Sequence, residues 1–549
     1  MADFNITDLL REVAGRWSQK TAILQVCDGK PAVRLTFAEL DALCDRYAAG
    51  LRRMGLAPGE RVLILAQPDE HFAPFVLGLL RAGGVVAMVD PGRPLGEMMD
   101  CIAQLGPTGL LASPLVQALS LGFPKAFGKV KWRISARGRF PGAVEMARLP
   151  DGPGEALVGL TQAESEAAVL FTTGSTGAPK GVAYSHAILH SQCQALQAGL
   201  QLAEDEVGLF GASAMMLLGL SSGVTAVLAD ALNVSPRQVD IATLAQLLEE
   251  QRITLSFASP VLSRKLAAYA RQHPLRFAQL RKLVVGGAPV EAGLVRELQA
   301  LLPNGDVIIS LGATEVMPIA MLSGSEALRR SAEPGRQFAG VCTGFPAPGC
   351  ELRVIEIQDG PLADISSARC LPAEQVGEVI VRGPAVTQGY LGRADLTALA
   401  KIQDGDSTWH RTGDLGFLDA AGCLWFCGRK SQRVQTRQGR LLTLPCEVVF
   451  NQHPAVARSA LVGLGVPGEQ TAVIVIESKP GQRPRGRAEQ EQLARELRQL
   501  AESAGHTRSI RQFAFYPGVF PVDIRHNSKI NREVLAEWIQ RHPRALRQP

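Results

Sequence analysis

The sequence predicts an α/β protein: a large N-terminal region of stacked α/β subdomains with a β-rich subdomain (1–428), and a small C-terminal α+β unit (429–549). Three observations predict it. At 549 residues the chain exceeds what one core holds, since single cores stop growing near about 250–300 residues. Apolar strand-like runs alternate with helix-spaced segments through the first three hundred residues, as in a parallel sheet with crossover helices. The texture then changes twice: short strands between turns from residue 340, and a helix-bearing segment with a basic loop after Arg429.

Residues 34–55, RLTFAELDALCDRYAAGLRRMG, place Leu40, Leu43, Tyr47 and Leu51 at helical spacing, with Gly55 as the stop. RVLILA then reads as a buried strand, HFAPFVLGLLRAGG as a helix closed by two glycines, and VVAMVD as the next strand. EAAVLFTT (166–173) is a strand running into a glycine-rich segment, with AILHSQCQALQAGL helical beyond it. TLSFAS, KLVVGG and DVIISLGATE add three strands. CELRVIEI, GEVIVRG and CLWFCGR make the β-rich stretch. In the last unit LPCEVVFNQHPAV is helical, RSALVGLGV and TAVIVIES are strands, and RGRAEQEQLARELRQLAESAG is an amphipathic helix after the basic loop KPGQRPRGR (479–487).

Hydrophobic residues are 46% and charged residues 20%, which is globular composition. A net charge of +5 is small for this length and does not imply nucleic acid, though it is compatible with anionic ligands. The ten cysteines are scattered; Cys423 and Cys427 are the closest pair, and no second pair completes a zinc site. Reduced thiols in a cytoplasmic protein are the expectation. The N-terminal MADFNITDLLREVAGRW lacks the apolar core of a signal peptide, and no apolar run approaches the roughly 18 residues of a membrane span.

Two short motifs are decoys. GLSSG (219–223) fits the G-x-S-x-G nucleophile elbow, but so brief a match is common in a chain with 55 glycines. GLGVPG (463–468) fits G-x-G-x-x-G, yet the strand-like EQTAVIVIES follows where a dinucleotide fold needs a helix. The segment LFTTGSTGAPKGVAYSH (170–186) is different. It lies between a predicted strand and a predicted helix, where ligands bind in open α/β sheets. Its glycines let amides approach an anion, its hydroxyls add donors, and Lys180 adds a point charge. It is a phosphate loop without the G-K-[ST] ending of a Walker A sequence.

TTGSTGAPKG resembles the phosphate-binding loop of the acyl-adenylate-forming superfamily, which includes acyl-CoA synthetases, peptide-synthetase adenylation domains and luciferases. Further elements follow in that family's order: GGAP (286–289), LGATE (311–315), GEVIVRGPAVTQGY (377–390), WHRTGDLG (409–416), GR (428–429) and NSKINRE (527–533). The resemblance runs from RLTFAEL to Arg532. It implies ATP and Mg²⁺ as cofactors, and a C-terminal lid (429–549) that turns over a nucleotide held by 1–428. It puts Thr172, Thr173, Gly174, Ser175, Thr176, Gly177 and Lys180 on the β- and γ-phosphates. Gly287, Ala288 and Pro289 would form the adenine turn, with Gly312 and Ala313 also at the nucleotide. Thr314 would lie near the α-phosphate, and Glu315 with Thr176 would hold Mg²⁺. Asp414 would accept both ribose hydroxyls with help from Arg429, and Lys529 would bridge the substrate carboxylate and the α-phosphate.

The chain departs from common members in several places. Leu311 stands where an aromatic usually opens Y-G-x-T-E, Ser431 where the hinge usually carries Asp or Lys, and Ser528 in place of the glycine before the lysine. GRKSQRVQT lacks a clean pantetheine-tunnel segment, which weakens a second step with CoA. AGVCTGFPAPG (339–349), LWFCGRKSQRV (424–434), LPCEVVFNQHPAVARSALVG (444–463) and FPVDIRHNSKINRE (520–533) resemble the β-lactone synthetases of olefin biosynthesis. That resemblance implies a 3-hydroxy fatty acid substrate, activated as an acyl-adenylate and closed by its own hydroxyl. Association with other olefin- or β-lactone-pathway enzymes rests on the resemblance alone. A fatty acyl-CoA or acyl-carrier-protein ligase sharing the adenylation step stays open, as does a non-catalytic nucleotide-binding member. The stretch LFGASAMMLLGLSSG (209–223) suits an alkyl chain and a packed core equally.

Overall fold

A computed structural model of the chain describes residues 4–90, 92–149, 160–172, 179–210, 213–234, 238–522 and 529–548. Helix α1 (Phe37–Arg53) starts where the sequence supplies a reciprocal cap: the Thr36 hydroxyl accepts from the Glu39 amide, and the Glu39 carboxylate accepts from the Thr36 amide. Leu40, Cys44, Tyr47 and Leu51 form its buried face; Leu43, expected there, stays partly exposed. Strand β1 (Arg61–Leu65), helix α2 (Phe72–Arg81) and strand β2 (Val85–Met88) complete a parallel β-α-β unit as the alternation predicts.

Strand β3 (Glu166–Thr172) pairs parallel with β2. The next element corrects the sequence reading. Strand β4 (Lys180–Ser185) returns antiparallel to β3, with Gly181 opposite Phe171 and Lys180 opposite Thr172. Helix α3 (His186–Leu200) begins only after it. The glycine-rich segment therefore joins the two strands of a hairpin rather than a strand to a helix. The reason lies in alternation: Val182 and Tyr184 face inward from a six-residue run that a helix period cannot serve.

His186 opens α3 fully buried. Its Nδ1 accepts from the Ile6 amide at 3.2 Å, and its Nε2 has no hydrogen-bond partner among the described residues. Burial pushes the imidazole down to about 4 from 6.5. Between those values the unfolded chain binds a proton that the folded chain refuses, so stability falls as pH drops through that window, by about 3 kcal/mol at most for this group. Urea midpoints should decline from pH 6.5 toward pH 4.5, and His186→Gln should flatten that decline. A slope unchanged in the variant would assign the acid sensitivity to other groups.

Strands β5 (Leu255–Ala258), β6 (Lys282–Gly286) and β7 (Asp306–Ala313) lie side by side and parallel, linked by α4 (Pro260–Ala270) and α5 (Ala292–Gln299). Strand β8 (Val316–Ser323) turns back antiparallel from β7 through Thr314 and Glu315. The strand Val341–Pro346 joins β8 to the β-rich stretch: β9 (Gly377–Arg382), β10 (Lys401–Asp404), β11 (Ser407–Leu418) and β12 (Leu424–Arg429). These strands pair antiparallel and share one 14-stranded sheet with β5–β8. The change of texture at residue 340 thus falls within one sheet, whose strands already turn antiparallel at β8.

After Arg429 come α6 (Thr443–Phe450), β13 (Val456–Leu464), β14 (Thr471–Ser478), α7 (Arg487–Ser503), β15 (Gln512–Phe515) and α8 (Arg532–Arg541). The three strands belong to a separate 4-stranded sheet. One face packs Phe450, Leu461, Ile474, Leu497 and Phe513; the other packs Val462, Val473, Leu535 and Ile539. Among the described residues no helix is long and apolar enough to cross a membrane.

Candidate active site

The ends of β6 and β7 are neighbours, with Gly286 opposite Ser310. Gly287, Ala288 and Pro289 therefore follow one strand end while Leu311, Gly312 and Ala313 finish the next. Thr314 and Glu315 form the turn into β8 and are held from two sides. The Tyr184 hydroxyl, on β4, donates to the Thr314 carbonyl. The Glu315 carbonyl accepts from the Thr387 amide at 2.9 Å, and Glu315 Oε1 accepts from the Tyr390 hydroxyl at 2.6 Å. Lys180 Nζ lies 5.0 Å from the centre of the Tyr390 ring, a cation–π distance.

Burial opposes the charged form of Glu315, but nearby positive groups and the Tyr390 hydrogen bond outweigh it and hold the carboxyl below its usual value. Two buried bases stand behind it. Lys401 on β10 faces His410 on β11 in the strand register, and its Nζ donates to the Thr387 carbonyl. Burial pushes Lys401 down to about 7 and His410 to about 3. His410 is therefore neutral at pH 7, with Nδ1 3.2 Å from the Ala400 carbonyl, and Lys401 is only partly protonated at that pH.

Asp414 sits on β11 with Arg429 as its register partner on β12. Two glycines shape the approach. Gly413 turns at φ +68 immediately before Asp414, and Gly428, at φ +130, lets the Thr443 hydroxyl come so close that a Cβ would meet it at 2.2 Å. Arg429 Nε lies 3.1 Å from Asp414 Oδ1, while its Nη1 donates to the Thr412 carbonyl at 3.0 Å. The Nε contact is too poorly aligned to be a hydrogen bond, so Oδ1 is a buried acceptor without a donor among the described residues. Burial raises the Asp414 carboxyl above its usual value, and the charges of Arg429 and Lys529 pull the other way. A buried oxygen without a donor is costly, and neighbouring hydroxyls such as those of a ribose would satisfy it.

Lys529 is exposed, yet close enough for its charge to act on Asp414. It enters the site from a turn fixed on its far side. Asn531 caps α8 by accepting from the Val534 amide, and Arg532 makes two bonds, of 2.7 and 2.9 Å, to buried Glu447. The structure thus brings Lys180, Thr314, Glu315, Asp414, Arg429 and Lys529 around one centre, with 287–289 at the neighbouring strand end. Thr172 ends β3 opposite Lys180. Thr173, Gly174, Ser175, Thr176 and Gly177 lie outside the described residues.

Sequence reasoning missed the tyrosines and the Lys401–His410 pair. Tyr390 closes GEVIVRGPAVTQGY, which was matched as a family motif without any role for its tyrosine. Lys401 had a usable signal, a base within the otherwise apolar run ALAKI, whereas His410 lies in the polar stretch STWHRT. For a divalent cation the donor set fits Mg²⁺. Among the described residues no group of three or more His, Cys, Asp or Glu could hold a metal unaided, and Mg²⁺ is ordinarily held by one or two carboxylates together with substrate phosphates.

Comparison with known proteins follows the same lines. Residues 10–391 match the AMP-binding enzyme family. The olefin beta-lactone synthetase of Xanthomonas campestris pv. campestris is 37% identical over 523 residues, 92% of this chain and 91% of that protein. That of Stenotrophomonas maltophilia is 37% identical over 517 residues, again 92% and 91%. The solved amide bond synthetase McbA of Marinactinospora thermotolerans shares the fold, with a TM-score of 0.80 at 22% identity over 97% of this chain and 99% of that one. A match over residues 10–391, with relatives 37% identical along nearly the whole length, establishes that this chain belongs to the AMP-binding enzyme family.

Proposed function

We infer that this enzyme activates a 3-hydroxy fatty acid with ATP and then closes it to a β-lactone. In the first step a carboxylate oxygen attacks the α-phosphorus and pyrophosphate leaves. In the second the 3-hydroxyl oxygen attacks the activated carbonyl, its proton is lost, and AMP leaves. Intramolecular attack needs no acceptor, only a folded acyl chain held in a reactive conformer. The observation that carries this reading is the 37% identity to two olefin beta-lactone synthetases across 92% of the chain.

The residues take roles that their surroundings support. Asp414 offers a buried acceptor to the ribose, with Arg429 beside it. Glu315, with Thr176, would hold Mg²⁺, whose charge offsets that of the phosphates when bound. Lys180 and the loop 172–177 would hold the outgoing pyrophosphate. The 287–289 turn with Gly312 and Ala313 would border the adenine, and Thr314 the α-phosphate. Lys529 would neutralise the charge that develops between carboxylate and α-phosphate. Residues 1–428 form the nucleotide-binding part and 429–549 the lid. At that boundary Lys430 Nζ lies 3.0 Å from both oxygens of buried Glu378. A cytoplasmic location fits ten unpaired cysteines.

The acyl chain would lie near the helix Ser213–Ser221. Met216 and Leu220 of that helix are core, whereas Met215 and Leu218 pack only partly buried beside Phe210 and Phe257.

Purified protein given ATP, Mg²⁺ and a 3-hydroxy fatty acid should release AMP and a β-lactone without CoA, as read by NMR. An acyl-CoA formed only when CoA is added, with no lactone, would make the chain a ligase.

A further inference from the structure

The tie between the glycine-rich segment and the Glu315 turn runs through one side chain outside the sequence assignments. Strand β4, which carries Lys180, is pinned to residues 390–391: Val182 bridges Tyr390, and the Leu391 amide donates to the Gly181 carbonyl at 2.7 Å. A Cβ on Gly181 would lie 3.1 Å from the Phe171 ring and 3.2 Å from Leu391, so the approach leaves little room for a side chain. The same Tyr390 gives its hydroxyl to Glu315 Oε1 at 2.6 Å and its ring face to Lys180. It is itself held: its amide donates to Thr397 Oγ1 at 3.0 Å. Three residues earlier, Thr387 binds the Glu315 carbonyl and is in turn capped by Lys401.

We propose that Tyr390 is a positioning residue for the metal-bearing carboxylate, its hydroxyl occupying Glu315 Oε1 so that Oε2 is presented to a divalent cation in register with Lys180. This rests on the assignment of Glu315 to the cation. The chemistry is that of an outer-sphere partner: a donor on one oxygen fixes the carboxylate's rotation and leaves the other oxygen for the metal. The link to β4 adds a second consequence. The carboxylate that would hold the cation and the lysine that would hold the phosphates share one support.

Tyr390→Phe removes the hydroxyl and keeps the ring that Lys180 faces. It should raise the Mg²⁺ concentration for half-maximal ATP–pyrophosphate exchange by about 10- to 100-fold, the usual cost of losing such a partner. The KM for ATP at saturating Mg²⁺ should hold, and so should the melting temperature. Mn²⁺ titrated by EPR against enzyme bearing an α,β-non-cleavable ATP analogue should weaken in parallel, a readout independent of turnover. Glu315→Gln separates this inference from its premise. If Glu315→Gln leaves Mg²⁺ dependence unaltered, the carboxylate assignment itself fails. If it shifts that dependence and Tyr390→Phe does not, the role of Tyr390 is overturned. Tyr390→Phe added to Glu315→Gln should cause no further shift; an additional loss there, or a collapsed melting transition in Tyr390→Phe, would mark Tyr390 as a general packing residue and overturn the proposal.

Discussion

Lys529→Ala is expected to slow ATP–pyrophosphate exchange by roughly 10²–10³-fold or more, with ATP still bound. The reasoning is electrostatic. In-line attack brings a carboxylate against an α-phosphate, and both are anionic. A cation placed where that charge builds lowers the barrier, and a thousandfold effect corresponds to about 4 kcal/mol. Lys529 has the means: its charge reaches buried Asp414, and its turn is anchored at Arg532. The discriminating quantity is kcat, because an interaction formed only in the transition state leaves ground-state affinity intact. An exchange rate in the alanine variant within about threefold of the parent would remove Lys529 from the chemistry.

Asp414→Asn should act in the opposite sense, raising the KM for ATP by about 100-fold, the loss expected for two charged hydrogen bonds, with kcat at saturating ATP far less affected. Its effect on stability should separate binding from structure. Burial raises the Asp414 carboxyl above its usual value. A carboxyl so raised opposes folding once pH exceeds its unfolded value, because the folded state must hold a charge that water would solvate better. The isosteric amide carries no charge, so the variant should melt at the same temperature or higher at pH 8 while binding ATP poorly. A variant that melts early and binds ATP normally would make Asp414 a structural residue.

Much of the fold was legible because period and composition carry it. Helix α1 shows its face through Leu40, Tyr47 and Leu51, and the parallel strands β5 and β6 stand out as short apolar runs before helices, with β7 a further apolar run beside them. The return strand β4 was not legible. Its six residues follow a glycine-rich segment and lead without a break into α3, so no turn residue separates strand from helix. For the candidate site, ordered motifs singled out Lys180, Glu315, Asp414, Arg429 and Lys529. The contacts that orient them were hidden, since Tyr390 meets Glu315 across 75 positions and Tyr184 meets Thr314 across 130. Periodicity also sorts polar residues outward, and that rule fails for Lys401 and His410, which are buried behind the site.

The Arg532–Glu447 pair has a consequence in terms of reach. Three residues of chain extend about 10 Å at most, so the backbone of Lys529 stays within that radius of a fixed point in the small unit. Arg532 also bonds Gln432 at 3.1 Å, which ties the same point to the segment just past Arg429. The amine is thus on a leash: on the lid reading proposed above, Lys529 would travel with the small unit, and its effective concentration at the α-phosphate would be set by the angle of that unit.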